Sequence, residues 1–340
     1  MQPVKKQRFF NNDPAVIGLS MILYMLLLNG LTLLFSELVP LFLDAASPAY
    51  QSNLQIAQRG AGIAAYAITF LFTIIFMSRS SPGFASLSYP KPPGAALTLP
   101  AFFAAFLLIN YLNAFLKGIF NDLGVYGIDP SLDAPRSGIP LILFVLMYIL
   151  LPAVLEELLF RGVILFRLRR FGDGFAVVLS SFIFALMHHN MISMPGIFLI
   201  GVLFAYATIY SNSIIPAMVM HFLNNAIAIL LIWLEQHGAP EASNLLAISI
   251  FLVGVTSFAA MFIYAVIFAA QGKKPRRIDS SENISHSGTG KLKPHMAFAS
   301  VFGSGWMIAF IITAVFITLS LEFFPRVIEQ LLAFMEVFAK

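Results

Sequence analysis

The chain has 340 residues, of which 59% are hydrophobic and 11% are charged, with a formal net charge of +4 and a mean hydropathy of +0.87. Soluble domains carry about 25% charged residues, so this composition excludes an ordinary soluble domain. The net charge is small, and its placement along the chain matters more than its size. The absence of cysteine excludes disulfides, thiolate catalysis and Cys-ligated metal sites.

Hydrophobic runs of about 20 residues recur along the whole chain, as is typical of membrane-spanning helices. We therefore predict an all-α, polytopic transmembrane helical bundle that forms a single membrane domain over 1–340. The polar, basic connector at about 271–296 is predicted to be a mobile cytoplasmic loop. The nine predicted spans lie at about 15–38, 58–78, 99–120, 139–166, 174–190, 195–211, 213–234, 245–270 and 300–321.

The distribution of Lys and Arg predicts the orientation of these spans. With the N-terminus in the cytoplasm, 15 of the 20 Lys and Arg residues fall on the cytoplasmic side. We therefore predict a multi-pass integral membrane protein with a cytoplasmic N-terminus and an outer C-terminus. If the source is prokaryotic, the membrane is the plasma membrane.

Two adjacent glutamates and an arginine interrupt the apolar run Val154–Leu165, near the cytoplasmic end of the fourth predicted span. A charge at the bilayer centre costs about 2.5–3.5 kcal/mol on insertion scales, so three charges within six positions indicate a functional site. Glu157 and Arg161 are four residues apart and are predicted to pair. Glu156 lies about 100° around the helix without a cation at helical spacing, which suits a general base or acid. The alternative is an ion pair at the membrane interface.

Two further apolar spans carry pairs of residues at a spacing of four. Phe184 and His188 are predicted to share a face of the fifth span, where the histidine is either functional or a hydrogen-bonded packing residue. His221 and Asn225 share a face of the seventh span and can both donate to developing negative charge, or else join helices by hydrogen bonds. His188 would lie about 21 Å along a straight helix, so a meeting with Glu156 requires a tilted or short fifth helix.

These patterns occur in chain order as E-E-x-x-x-R, F-x-x-x-H and H-x-x-x-N, each on a separate apolar helix. The ordered set resembles the CPBP family of intramembrane proteases, also called the ABI family, to which the type II CAAX prenyl endopeptidases belong. The resemblance covers a catalytic core at about 139–234. It implies an eight-helix family core, to which the C-terminal span at about 300–321 is an addition.

The resemblance also implies roles for the motif residues. It implies that Glu156 and His188 activate a water molecule, and that His221 and Asn225 form the oxyanion site. The remaining motif positions, with supporting roles, are Glu157, Arg161 and Phe184.

The sequence leaves open whether a metal takes part. Glu156, His188 and His221 would form an acceptable zinc site of one carboxylate and two imidazoles. The same residues can activate water without a metal, as in a glutamate-type peptidase. Because Asn225 is a poor zinc ligand and a good oxyanion donor, we favour no cofactor, with zinc as the alternative.

The leading functional hypothesis is an intramembrane endopeptidase with a cavity open to the cytoplasm. Its partners would be the lipid bilayer and a membrane-associated or lipidated peptide or protein, with no nucleic acid. One alternative is a non-proteolytic membrane scaffold or bacteriocin-immunity protein of the same fold. A second is a proton-coupled transporter that uses Glu156 and His188 as a relay. The complete motif set favours the enzyme over the scaffold, and the lack of an internal repeat argues against the transporter.

Overall fold

The computed structural model describes residues 13–79, 94–122, 134–272 and 294–338. Within these ranges the chain forms helices and no strand, which confirms the predicted all-α bundle. Most of the predicted loop at 271–296 lies outside the described residues. The helices are α1 (Asp13–Leu38), α2 (Tyr50–Ser78), α3 (Gly94–Asp122), α4 (Gly138–Phe171), α5 (Asp173–Leu186), α6 (Met194–Ser211), α7 (Ile215–Gln236), α8 (Pro240–Ala270), α9 (Pro294–Phe302) and α10 (Gly305–Phe338).

Seven of the helices in the described ranges are long and apolar enough to cross a membrane, namely α1 to α4 and α6 to α8. They correspond to seven of the nine predicted spans, and they support a multi-pass integral membrane protein. The other two predicted spans contain shorter apolar helices, Asp173–Leu186 and Gly305–Leu321. The seven spans also leave many large apolar side chains exposed, as lipid-facing helices do; Leu26, for example, is 66% exposed.

The predicted fifth span was too long, because α5 has 14 residues and ends at Leu186. The chain then turns through His188 and His189, and His189 has a φ of 48°, in the left-handed region that a helix cannot continue through. The next helix begins with a proline at its second residue, where the missing N–H costs no helical hydrogen bond. The fifth helix is therefore short, which is one of the two arrangements predicted to let His188 approach Glu156.

The helices pack around two clusters of buried apolar side chains. The larger cluster joins α1, α2, α4, α5, α6, α9 and α10, and the smaller joins α3, α6 and α7. At Gly18 the backbones of α1 and α10 approach closely, since an added Cβ would lie 2.5 Å from backbone atoms of Trp306 and Met307. The C-terminal helix is therefore an integral part of the larger cluster.

Two arginines counted among the cytoplasmic cations are buried inside the bundle. Arg161 is 1% exposed and Arg167 is 4% exposed. Arg167 bonds Asp13 on α1 at 2.7 Å and donates to the Met77 carbonyl on α2 at 2.9 Å. Without these two residues the predicted distribution of Lys and Arg is 13 to 5, and the orientation of the spans stays a prediction.

Candidate active site

The helix that carries the two glutamates is irregular on both sides of them. In α4, π-helical turns at Leu146–Leu150 and Leu158–Leu165 flank the regular segment Leu151–Glu157. Pro152 explains the first of these turns, because it has no N–H and its ring crowds the carbonyl four residues before it. Single π turns inside α-helices occur frequently at functional sites, and here they change the direction in which the glutamates point.

Glu157 lies at the centre of a buried polar cluster. Its side chain is fully buried, and its Oε1 accepts a hydrogen bond of 2.8 Å from Arg161, the partner predicted from the spacing of four. The same oxygen lies 2.8 Å from Nδ1 of His221 on α7. Because an ionised carboxylate only accepts hydrogen bonds, the contact requires a proton on Nδ1 of His221. Glu157 therefore fixes both the orientation of His221 and the tautomer of its neutral ring.

Arg161 is enclosed by aromatic rings and backbone rather than by solvent. Its Nη2 donates to the Gly201 carbonyl on α6 at 3.1 Å. Its guanidinium lies 4.4 Å from the ring centroid of Phe184 and 5.3 Å from that of Phe204. Arg161 therefore compensates the charge of Glu157 inside the bundle, away from solvent.

Glu156 is held on one carboxylate oxygen and free on the other. Oε1 accepts a hydrogen bond of 2.7 Å from the Tyr66 hydroxyl on α2. Oε2 lies 3.9 Å from Nε2 of His221, and within the described ranges it has no hydrogen-bond partner. The side chain is 15% exposed, so the carboxylate is largely buried. A carboxylate oxygen with a free lone pair is what a general base presents to water.

His188 lies in the turn after α5 and not on the helix itself, which corrects the predicted shared helix face. Its Nδ1 lies 2.8 Å from the Phe184 carbonyl, so Nδ1 carries the proton and Nε2 has a free lone pair when the ring is neutral. The Phe184 ring contacts both histidines, with centroid distances of 4.7 Å to His188 and 6.0 Å to His221. Among the described contacts, none joins His188 directly to Glu156.

The turn that contains His188 and His189 is anchored by contacts with the C-terminal helix α10. Nδ1 of His189 lies 3.3 Å from Oγ1 of Thr318 on α10, and the ring also has a hydrogen bond with the backbone of Ala314. These contacts give His189 an anchoring role in the fold.

Asn225 follows His221 by one helical turn on α7. Its Oδ1 accepts a hydrogen bond of 3.1 Å from Nδ2 of Asn224, which leaves the amide Nδ2 of Asn225 as a donor. The contact by which Asn224 orients Asn225 was not predicted from the sequence. Tyr66 was not predicted either, because a tyrosine 90 residues from Glu156 in an apolar helix gives no local signal.

The zinc alternative finds no ligand set in the described part of the chain. No group of three or more His, Asp or Glu side chains there is arranged to hold a metal ion. Of the three residues predicted for zinc, Glu156 and Nε2 of His221 lie 3.9 Å apart, and His188 has no described contact with Glu156. The preference for no cofactor over zinc stays a prediction.

Seven helices able to span a membrane support an integral membrane protein, and a buried Glu–Arg–His cluster lies among its helices. Residues 138–227 match the family described as type II CAAX prenyl endopeptidase Rce1-like. The match covers 90 of the 340 residues, about a quarter of the chain, and includes every predicted site residue. It confirms the family resemblance and supports a CAAX-type intramembrane endopeptidase in general. No curated protein and no solved structure matches the chain.

Proposed function

We propose that this protein hydrolyses a peptide bond of a membrane-associated or lipidated protein, with a catalytic core at about 139–234 and a water molecule activated without metal. One observation carries the proposal. The Glu156 carboxylate, bound on one oxygen and free on the other, faces the His221 imidazole inside an apolar bundle. The match of 138–227 to an endopeptidase family supports it independently.

In the proposed reaction, Oε2 of Glu156 accepts a proton from water as the water oxygen attacks the carbonyl carbon of the scissile bond. Nε2 of His188 accepts a hydrogen bond from the second hydrogen of the same water. The carbon–nitrogen bond then breaks, and the proton held by Glu156 passes to the departing amine. The carboxylate is restored, and the products are a new carboxyl terminus and a new amino terminus.

The oxyanion formed in the first step would accept hydrogen bonds from Nε2 of His221 and Nδ2 of Asn225. Since Nδ1 of His221 carries a proton toward Glu157, Nε2 donates only when the ring holds both protons. Glu157 faces Nδ1 of this ring and supplies the counter-charge for that form, whereas Glu156, 3.9 Å from Nε2, is neutral once it holds the proton from water. Glu157 and Arg161 would support the reaction by holding His221 in place.

Replacing Asn225 with alanine should reduce turnover by about 10²–10³-fold, as for the loss of one oxyanion donor. The effect should appear in kcat, because the hydrogen bond forms fully only with the transition state. The matched control is Asn110→Ala on α3, where the amide bonds only the carbonyl four residues before it. Equal turnover by Asn225→Ala and Asn110→Ala would rule out the oxyanion role.

We also propose that the N-terminus is cytoplasmic, that the C-terminus is outside and that the cavity opens to the cytoplasm. The distribution of Lys and Arg supports this orientation. The chain has no native cysteine, so single cysteines can be labelled cleanly. A membrane-impermeant thiol reagent added outside should label Glu241→Cys and leave Ser281→Cys unlabelled. The reverse pattern would invert the orientation.

The substrate class can be tested with the purified protein in nanodiscs. Two membrane-anchored peptides of the same sequence, one lipidated near its C-terminus and one held by an apolar helix, would be offered separately. We expect cleavage of at least one, with product masses that sum to the substrate plus one water. Cleavage of the lipidated peptide alone would assign a lipid-recognising peptidase. If neither peptide is cut, and no member of a broader library of membrane-anchored peptides is cut, the peptidase function is wrong. The alternative of a non-proteolytic scaffold or immunity protein then replaces it.

A further inference from the structure

Tyr66 reaches the proposed active site from outside the family-matched segment. It lies on α2, near the middle of a 29-residue helix, whereas the matched residues begin at 138. Its ring is 9% exposed and packs against Phe70 with a centroid distance of 4.5 Å. Phe70 in turn meets Tyr24 of α1 edge-on at 4.9 Å. An aromatic cluster of two helices therefore fixes the position of the Tyr66 hydroxyl.

The Tyr66 hydroxyl makes a short hydrogen bond to a carboxylate. It donates to Oε1 of Glu156 at 2.7 Å, a usual length for a hydrogen bond to a carboxylate. Hydrogen bonds to an ionised acceptor are about twice as strong as those between neutral groups. Oε2 is the oxygen that lies toward His221 and lacks a partner within the described ranges.

We propose that Tyr66 is a positioning residue for Glu156, an inference that rests on the proposed peptidase function. A glutamate side chain has three rotatable bonds, and the free carboxylate would otherwise turn between its neighbours. The phenol holds Oε1, so Oε2 stays directed at the place where water and the scissile carbonyl meet. Misplacement of a reacting group by about 1 Å can reduce a rate by about 10²-fold, so a single hydroxyl is sufficient to matter.

The proposal assigns a role in catalysis to a helix outside the matched segment. The motif residues of 138–227 supply the carboxylate, while α2 supplies the group that orients it. A purely structural tyrosine would act through stability, and its loss would change the unfolding temperature without a selective change in kcat. The two roles are therefore separable by experiment.

The test is Tyr66→Phe, with Tyr264→Phe as the control that removes the hydroxyl of an exposed tyrosine from an aromatic pair on α8. We expect Tyr66→Phe to lower kcat by about 10–10²-fold, with KM within about twofold and an unchanged unfolding temperature. Tyr264→Phe should keep the wild-type kcat. Infrared difference spectra should show a carboxylate band that shifts in Tyr66→Phe, and this shift should be absent when Glu156→Gln is also present.

The outcomes distinguish the inference from the function on which it rests. If Glu156→Ala is inactive but Tyr66→Phe retains the wild-type kcat, the positioning role is wrong and the peptidase function stands. If Tyr66→Phe loses stability and activity together, the tyrosine is structural. If the wild-type protein and Glu156→Ala cleave no substrate, the peptidase function fails. In that case the positioning role fails with it, even if the infrared shift shows the Tyr66–Glu156 contact.

Discussion

Replacing Glu156 with alanine should abolish peptide-bond hydrolysis while the protein remains folded in detergent. General bases contribute about 10²–10⁴-fold to a rate, and here the same carboxylate also returns the proton to the leaving amine. Glu156→Gln should be equally inactive, because the amide can still accept from Tyr66 at Oε1 but cannot take up a proton from water. His188→Ala should also abolish hydrolysis, since it removes the second hydrogen-bond partner of the water.

The control for Glu156 is Glu241→Ala, the same change at an exposed position in the first turn of α8. It should retain wild-type activity. Cleavage, size-exclusion profile and unfolding temperature would be measured on the same preparations, so that inactivity is not confused with misfolding. A wild-type rate in Glu156→Ala would disprove the enzymatic interpretation.

Arg161→Ala should be among the most destabilising substitutions in the chain. It leaves the fully buried Glu157 carboxylate without its compensating cation, and breaking a buried pair in this way costs about 3–5 kcal/mol. The guanidinium also loses its bond to the Gly201 carbonyl and its contact with the Phe184 ring. Chemical unfolding in detergent should show the loss directly, or the variant should fail to fold.

Arg79→Ala is the control for Arg161→Ala, because it makes the same change at an exposed arginine that follows the last residue of α2. Substitutions at exposed positions usually change stability by about 0.5 kcal/mol or less. If both arginine variants lose the same stability, burial of the Glu157–Arg161 pair is not what makes it important.

The sequence predicted those features of the site that depend on local geometry. Hydrophobic runs defined the helices, and spacings of four brought together Glu157 with Arg161 and Phe184 with His188. Phe184 and His188 are close for a reason other than the shared helix face that was predicted. His188 bonds the Phe184 carbonyl from a turn beyond the helix end, since the left-handed residue at 189 stops the helix.

The contacts between helices could not be predicted from one sequence. The rotation of α4 against α7 determines which glutamate bonds Nδ1 of His221, and the π turns of α4 change that rotation. The structure gives this role to Glu157, with Glu156 at 3.9 Å from the other ring nitrogen. Tyr66 meets Glu156 only because α2 packs beside α4, and no spacing rule connects positions 90 residues apart.

The central claim is that the polar cluster around Glu156 hydrolyses peptide bonds in the membrane. The most direct measurement compares the peptides released from membranes that contain the intact protein with those released in the presence of Glu156→Ala at equal abundance. We expect a set of new termini next to membrane anchors or lipidated residues that appears only with the intact protein. Identical peptides from the two membranes would contradict the claim.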